Sequence, residues 1–509
     1  MKLATGAQMH ALDQKTIQET GIAGIVLMEN ASRAVAERAA TYGLDQRCVV
    51  VAGGGNNGGD GFAIARLLRQ KGMDVTVVFT GTEEKLPPDA RCNYEICHRL
   101  GLPVITEMTE GLTAIAGAQL LIDALLGTGF HGVPRQKEAE IIRAMNQSGA
   151  VIVAVDLPSG VESSRGRVEG EAVRATETVT FQLPKAGLLL YPGTEYVGKL
   201  TVADISIPAQ NIQALQISGN VWSMQEVGQN LPKRRPRSHK GTYGRVVVCG
   251  GSANMTGAVV FSVLGAYRSG CGLVYGAAPS ACTPILHQLA PEAVLWPLEG
   301  EADRLTLDGA KGLLPKLAEK QVLVIGPGLG QGEETAQAVE LLLTQAPGFI
   351  VLDADGINAL AGHPELLRQT KSVPILTPHP KEMSRLTGKS VAELLDDPIT
   401  AARDFAMAYG VVLLLKDART IIAMPDGQFY VNPTGTSALS KGGSGDVLTG
   451  MIAGLLAQNR NPGLAASLGA YLHGLAGQEA AKTLGNYGVL ARDLIEAIAP
   501  AFQTVLTQA

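Results

Sequence analysis

RCVVVAGGGNNGGDGFAIARLLRQKGMDVTVVFT, residues 47–80, reads as strand, glycine turn, helix and strand. Its two strands, RCVVVAG (47–53) and DVTVVFT (74–80), are near-continuous apolar runs rich in valine. Such runs suit strands buried on both faces of a parallel sheet, and the helical pattern GFAIARLLRQKG (61–72) supplies the crossover between them. The alternation continues outward. QLLIDAL (119–125), AVIVAVD (150–156), ETVTFQL (177–183) and KLTVADI (199–205) read as strands, and KEAEIIRAMNQSG (137–149) as a helix. Residues before 45 read as helical, with Ile17, Met28 and Val35 among the apolar positions. The expectation is an α/β fold with a Rossmann-like, doubly wound sheet.

Around 210–240 the pattern breaks. ISGNVWSMQEVGQNLPKRRPRSHKGTYG mixes turn residues with a basic run from Lys233 to Lys240, the composition of a solvated connector. Alternation then restarts with RVVVCGG (245–251), a long helix from Met255, LVYGAAP (273–279), QVLVIGPG (321–328), FIVLDAD (349–355), VPILTPH (373–379) and VVLLLK (411–416). TIIAMPDGQFYVN (420–432) carries Pro-Asp-Gly between apolar runs and predicts a β-hairpin. The boundary is placed near 215, dividing the chain into 1–215 and 216–509. A length of 509 accommodates this, since a domain takes ~150 residues.

Composition narrows the function classes. Lys+Arg 42 against Asp+Glu 47 leaves a net charge of -5, which argues against a basic surface for nucleic acid or anionic membrane. No apolar run approaches the ~18 residues of a membrane span, and MKLATGAQMHALDQKT lacks the apolar stretch of a signal peptide. Cysteines 48, 92, 97, 249, 271 and 282 complete neither a disulfide framework nor a zinc pattern. The chain is expected to be cytoplasmic. Glycine is in excess: 61 of 509 residues is about 12%, against ~7% in average chains. That suggests many tight turns and nucleotide-type ligands.

In the first half, Gly53 to Gly61 follows a strand and opens a helix, where N–H groups and the helix dipole can meet a phosphate. It contains GxGxxG, so a nicotinamide-dependent dehydrogenase must be considered. However, the second strand ends FTGT, without the acid that fingerprint wants for the ribose. A second GxGxxG at Gly127–Gly132 shows how weak the pattern is, and ordinary strand-to-helix turns explain either one. Asn57 and Asp60, Asp123, and Asp156 with Ser159 stand at three strand ends, where open α/β sheets bind ligands. Their oxygen-only inventory suits a hard cation or a sugar hydroxyl. Asp156, beside a turn fixed by Pro158 and Gly160, is the best acid/base candidate, with a turn or N-cap aspartate as the equal alternative.

GGGNNGGDG, DALLGTGFHG and VDLPSG, with LMENASRAVAE upstream, resemble the NAD(P)H-hydrate epimerase family over most of 1–210. The resemblance implies a pocket for hydrated NADH or NADPH held by Asn56, Asn57, Gly58, Gly59 and Asp60. It extends that pocket through Gly127, Thr128, Gly129, Phe130, His131, Gly132 and Val133. Asp156 would face the nicotinamide-derived ring, and Asn57, Asp123 and Ser159 would hold potassium (K+).

In the second half the strongest feature is Thr436 to Asp446, TSALSKGGSGD, leading into VLTGMIAGLLAQ. A glycine loop opening a helix offers N–H groups to a transferring phosphoryl group, and an aspartate at the helix start can accept a hydroxyl proton. The alternative is a bare N-cap aspartate. No GxxxxGK[ST] occurs, which excludes a P-loop enzyme. Lys416, Asp417, Ala418, Arg419 and Thr420 turn between two strands where a nucleotide could lie, or form an ordinary hairpin. His379 sits between two prolines at a strand end, as a substrate ligand or a structural histidine. Gly326–Gly330 and Asn254–Ala258 complete the set. Asp353 and Asp355 in LDADGINAL suit either a metal or turn capping.

GGSANMTGA, IGPGLG, LDADGINAL, LTPHPKEMSRL and KGGSGDVLTGMIAGLLAQ resemble the ADP/ATP-dependent NAD(P)H-hydrate dehydratase family, which has a ribokinase-like fold, over about 235–500. The resemblance implies hydrated-cofactor contacts from Ala258, Gly328, His379 and Asp446. It implies nucleotide contacts from Lys416 to Thr420 and from Gly445, with magnesium (Mg2+) accompanying ADP or ATP, and assembly into a homo-oligomer. Glycine would be expected where Lys381 and Asp417 stand. The rival readings are a ribokinase-type small-molecule kinase fused to a nucleotide-binding domain, and a regulatory protein whose first domain senses nucleotide.

Overall fold

The computed structural model describes residues 1–43, 45–318 and 321–508, which divide into two compact units, Met1–Gly219 and Asn220–Ala509. The division falls a few residues beyond 215.

The first unit is built on seven strands: β1 Arg47–Ala52, β2 Asp74–Phe79, β3 Val104–Ile105, β4 Leu120–Ala124, β5 Val151–Val155, β6 Glu177–Phe181 and β7 Lys199–Ala203. They lie in the order β3-β2-β1-β4-β5-β6-β7, every neighbouring pair parallel. Alternate β1 residues enter different cores. Val50 joins Val35, Phe62 and Leu68 on one face, whereas Val49 and Val51 join Leu121, Ile141 and Met145 on the other. Coverage of both faces explains why the strands read as unbroken apolar runs. Three helices matter for the site: α1 Gly6–Lys15, α2 Gly24–Ala40 and α3 Asn56–Gln70. Strand order reverses between β1 and β4, the place where such sheets open a crevice.

The second unit carries β8 Arg245–Cys249, β9 Leu273–Ala278, β10 Val294–Pro297, β11 Gln321–Ile325, β12 Phe349–Leu352, β13 Ile375–Leu376, β14 Val412–Leu415, β15 Ile421–Ala423 and β16 Phe429–Val431. Their order is β16-β15-β14-β13-β12-β11-β8-β9-β10. Pairing is parallel from β10 to β14 and antiparallel across β15 and β16, the hairpin turned by Pro425-Asp426-Gly427. Its helices include α4 Thr256–Arg268, α5 Pro380–Thr387, α6 Ser444–Asn459 and α7 Pro462–Gly488. α6 is apolar all round and lies in the core, with Val447, Met451, Ile452 and Leu455 buried. Glycine brings it onto α4: a Cβ on Gly450 would fall 2.1 Å from the Ser262 carbonyl oxygen, and one on Gly265 2.6 Å from that of Val447.

Three differences from the sequence expectation have physical causes. VPILTPH contracts to two paired residues because Pro374 and Pro378 cannot donate to a ladder. β3 and β10 are short edge strands of half-buried and exposed residues, and the sequence expectation of long, doubly buried runs passes over them. The first glycine loop is only Gly53–Gly55, since α3 already begins at Asn56 and includes Gly58, Gly59 and Gly61.

Candidate active sites

In the first unit, the ends of β1 and β4 meet backbone to backbone. A Cβ on Gly53 would lie 2.0 Å from the Leu125 carbonyl oxygen, and one on Gly58 1.9 Å from the Gly53 oxygen. The helix start is thereby pressed onto the strand-end turn, leaving Asn56 exposed, Asn57 half-buried and Gly58, Gly59 and Asp60 buried. Asn57 Nδ2 donates to the Leu126 carbonyl at 3.0 Å and seats Gly127 beside it. The loop onward from Gly127 turns through a Phe130 N–H to Gly127 carbonyl bond and opens no helix; the next one is Gln136–Gln147. Thr128 and Phe130 are half-buried, whereas Gly129, His131, Gly132 and Val133 are exposed. The second GxGxxG is therefore not a dinucleotide fingerprint. His131 and Gly132 line a cavity of about 240 Å³ with Glu162, Arg165, Arg167 and Glu169.

Asp123, at the end of β4, is completely buried. Its Oδ1 accepts from the Ser159 hydroxyl at 2.5 Å, and its Oδ2 from the Ser159 N–H at 2.7 Å. Ser159 Oγ in turn accepts from the Leu126 N–H at 2.8 Å. Burial pushes the Asp123 carboxyl up to about 6, partly opposed by these hydrogen bonds, and no ion pair is found for it among the described residues. Carboxylate and hydroxyl meet at a buried charge without an ion-pair partner, and the Asn57 amide lies on the adjoining Leu126 carbonyl; oxygen donors of this kind suit a hard monovalent cation.

Asp156 follows β5 with φ +67°, a left-handed conformation rare for aspartate. The register places Val155 opposite Val179, so Thr180 of β6 stands next to Asp156. Asp156 Oδ1 accepts from Thr180 Oγ1 at 2.9 Å, from the Phe181 N–H at 3.1 Å and from Lys185 Nζ. Lys185 is 1% exposed and also donates to Thr180 Oγ1 and the Phe181 carbonyl. Two further carboxyls feel this pair. Burial pushes Asp13 of α1 up to about 6, against the pull of Lys185 and with Asp156 adding. Burial, reinforced by Asp156, drives Asp60 well above the usual carboxylate range, although Ser32 Oγ donates toward it. Lys185, Thr180 and Asp13 carry no motif in the sequence. Only the β5–β6 register and the packing of α1 bring them to Asp156.

In the second unit Gly443 caps α6 with φ +89°, a position that suits glycine, and a Cβ there would meet Phe261 at 2.7 Å. Asp446 lies in the first turn of α6, and its carbonyl accepts from Ser262 Oγ at 2.9 Å. Burial first, and the negative Asp353 second, push its carboxyl up to about 7, while Lys416 opposes. His473 of α7 contacts Ser444 at both the carbonyl (3.0 Å) and the hydroxyl (3.3 Å), and burial lowers it to about 4. A neutral ring donating from Nε2 to that carbonyl thus braces the loop.

Lys416 does not point out of the hairpin with its neighbours. Its Nζ donates to Asp353 Oδ1 at 2.9 Å and lies 3.5 Å from where a Gly445 Cβ would stand. Asp417 and Ala418 are exposed, Thr420 is half-buried, and Arg419 Nη1 donates to the Pro433 carbonyl at 2.7 Å. His379 caps α5: Nδ1 accepts the N–H groups of Lys381 and Glu382, and Nε2 lies 3.3 Å from Glu382 Oε1. Burial lowers its pKa. Gly328 (φ +67°) packs on Ala258, where a Cβ would approach the alanine methyl to 2.8 Å. Asp353 and Asp355 do not together form a cation site, because Asp353 faces an ammonium and Asp355 Oδ2 accepts the Gly330 N–H at 2.9 Å.

The family profile described as NAD(P)H-hydrate dehydratase matches residues 246–500, and that described as YjeF-related protein N-terminus matches 24–187. A bifunctional NAD(P)H-hydrate repair enzyme of Moorella thermoacetica is 42% identical over 506 residues, covering 97% of this chain and 96% of the relative. The protein of the same name from Escherichia coli K12 is 34% identical over 453 residues, 88% of this chain and 84% of that one. A solved ADP/ATP-dependent NAD(P)H-hydrate dehydratase from Bacillus subtilis, co-crystallized with ATP/Mg2+, is 36% identical with a TM-score of 0.49, covering 56% of this chain and 98% of that one.

Proposed function

Since this chain belongs to the family of bifunctional NAD(P)H-hydrate repair enzymes, we propose that its two units act in turn on one damaged cofactor. The substrate is NADH or NADPH whose nicotinamide ring has gained water at C6, giving R and S epimers. The first unit interconverts them with Asp156 as acid/base, Lys185 and Thr180 fixing its carboxylate, and the Asn56–Asp60 and Gly127–Val133 segments holding the ligand. Potassium fits Asn57, Asp123 and Ser159, where it would offset the buried Asp123 charge.

The second unit restores the S form at the expense of ADP or ATP. Asp446 takes the proton of the C6 hydroxyl while that oxygen attacks the terminal phosphorus of the nucleotide. The bond to the bridging oxygen breaks and leaves AMP or ADP. The C6–O bond then breaks, its electrons departing with phosphate, the ring nitrogen lone pair fills in, and loss of a C5 proton regenerates the dihydropyridine. Lys416 to Thr420 and Gly445 contact the nucleotide, while Ala258, Gly328 and His379 contact the hydrated cofactor. Magnesium enters with the phosphates, whose charge it offsets.

The observation that carries this reading is Asp446: a half-buried carboxyl, raised to about 7, at the start of a helix opened by a glycine loop. The test is product analysis with S-hydrate and ADP. The repair reaction yields one free phosphate per NAD(P)H restored, whereas a ribokinase-type kinase would leave a stable phosphorylated product.

A further inference from the structure

Asp353 has no place in the chemistry above, yet it is the most fully engaged carboxylate of the second unit's site. It is 1% exposed. Three different elements donate to it: Thr377 Oγ1, just beyond β13, at 2.7 Å; Lys416 Nζ, beyond β14, at 2.9 Å; and Thr449 Oγ1 of α6 at 2.6 Å. Thr449 follows Asp446 by three residues on α6, so the two lie on neighbouring parts of one helix face. The residue after Asp353, Ala354, is held at φ +48° and ψ -117°, a conformation an alanine adopts only when its surroundings impose it. That kink separates the paths of the two acids on either side of it. Asp353 turns inward to Lys416 and Thr449, and Asp355 reaches the Gly330 N–H.

We propose that Asp353 is a positioning residue for phosphoryl transfer, which fixes the Lys416 ammonium beside the Gly445 turn and fixes α6 so that Asp446 stands at a set distance from that ammonium. The inference rests on the reading of Asp446 as the base. Lys416 meets the oxygens of the transferring phosphoryl group, and its charge is balanced by Asp353 before the nucleotide arrives. An unpaired buried ammonium there would bind phosphate tightly in the ground state and acidify Asp446. A lysine without an anchor would be too mobile to favour the transition state. The charged groups around Asp446 are Asp353, Asp355, Glu382 and Lys416, three acids and one base, and His379 lies near the same cluster. Their balance makes Asp446 a proton acceptor that works near neutrality, and Asp353 and Lys416 pull it in opposite directions.

The test compares the pH profile of kcat for S-hydrate with saturating ADP and Mg2+ in the full chain, Asp353→Asn, Lys416→Gln and Lys416→Arg. Asp353→Asn is expected to lower kcat tenfold or more and move the acid limb down by about one pH unit, because a negative neighbour of Asp446 is gone. Lys416→Gln moves the limb up. Lys416→Arg keeps the charge, so the limb stays while kcat falls. If Asp353→Asn fails to fold, the lysine pair still decides: the limb is expected to rise in Lys416→Gln and to stay in Lys416→Arg, and an unmoved limb in Lys416→Gln overturns the proposal. Limbs left in place in Asp353→Asn and Lys416→Gln, or moved in the same direction, overturn the proposal. Should Asp446→Asn retain full dehydration, the underlying assignment of the base fails instead.

Discussion

Ser159 grips Asp123 at both carboxylate oxygens, the hydroxyl on Oδ1 at 2.5 Å and the backbone N–H on Oδ2 at 2.7 Å. A buried acid held this way still sits at about 6, above its ordinary value, so the folded chain binds more protons than the unfolded one between about 4 and 6. Stability in potassium-free buffer therefore falls as pH rises through that window, by an amount on the order of 3 kcal/mol. A cation bound to the carboxylate reverses this. Potassium is expected to raise Tm above pH 6, scarcely at all near pH 4, and not in Asp123→Asn. Equal shifts at both pH values, or the same shift with choline, would show that the ion does not sit on Asp123.

Asp156 and Lys185 pair with the lysine buried and the carboxylate half-buried, and removing the carboxylate strands the buried charge. Asp156→Asn is expected to abolish R-to-S conversion, by about 10²–10⁴-fold, and to destabilise the first unit by roughly 3–5 kcal/mol. Lys185→Met has the same two effects. The double variant regains much of the stability and none of the activity. Epimerisation assays beside thermal unfolding separate the two roles.

Asp446 sets the pH dependence of dehydration. With a carboxyl at about 7 that must be ionised to accept a proton, kcat for S-hydrate rises with pH below 7 and levels off above it. Asp446→Asn removes the base and costs about 10²-fold or more. A profile flat from pH 5 to 9 would place the proton elsewhere.

Gly58 is needed for contact, not for φ. A Cβ there would overlap the Gly53 carbonyl oxygen at 1.9 Å, so Gly58→Ala must shift α3 off the β1 turn. The expected loss is about 1–3 kcal/mol of first-unit stability, several degrees in Tm, together with loss of epimerisation. Retained dehydration of S-hydrate would locate the damage in the first unit.

Much of this was legible in the sequence. The valine-rich runs located most strands because burial on both faces leaves no polar alternation to disguise them. Asp123, Asp156 and Asp446 stood out because they end strands or open a helix. Lys185 did not, and Asp353 stood out only as a metal or turn-capping candidate, since their partners are brought by strand register and by the kink at Ala354. Lys416 stood out as part of a turn between two strands, but its bond to Asp353, which comes from a distant strand end, carries no local signal. The glycine pattern was informative about place, and the structure adds a packing role: Gly58 lies against the Gly53 carbonyl, and Gly59 against Ala90 and Met28.

Both units are tested together by supplying a mixture of R- and S-hydrated NADH with ADP and Mg2+ and following recovery of the reduced-nicotinamide absorbance. Complete recovery is expected with the intact chain, and recovery of the S fraction alone with Asp156→Asn beyond slow spontaneous epimerisation. No recovery with the intact chain, or unchanged complete recovery in Asp156→Asn at the same rate, would contradict it.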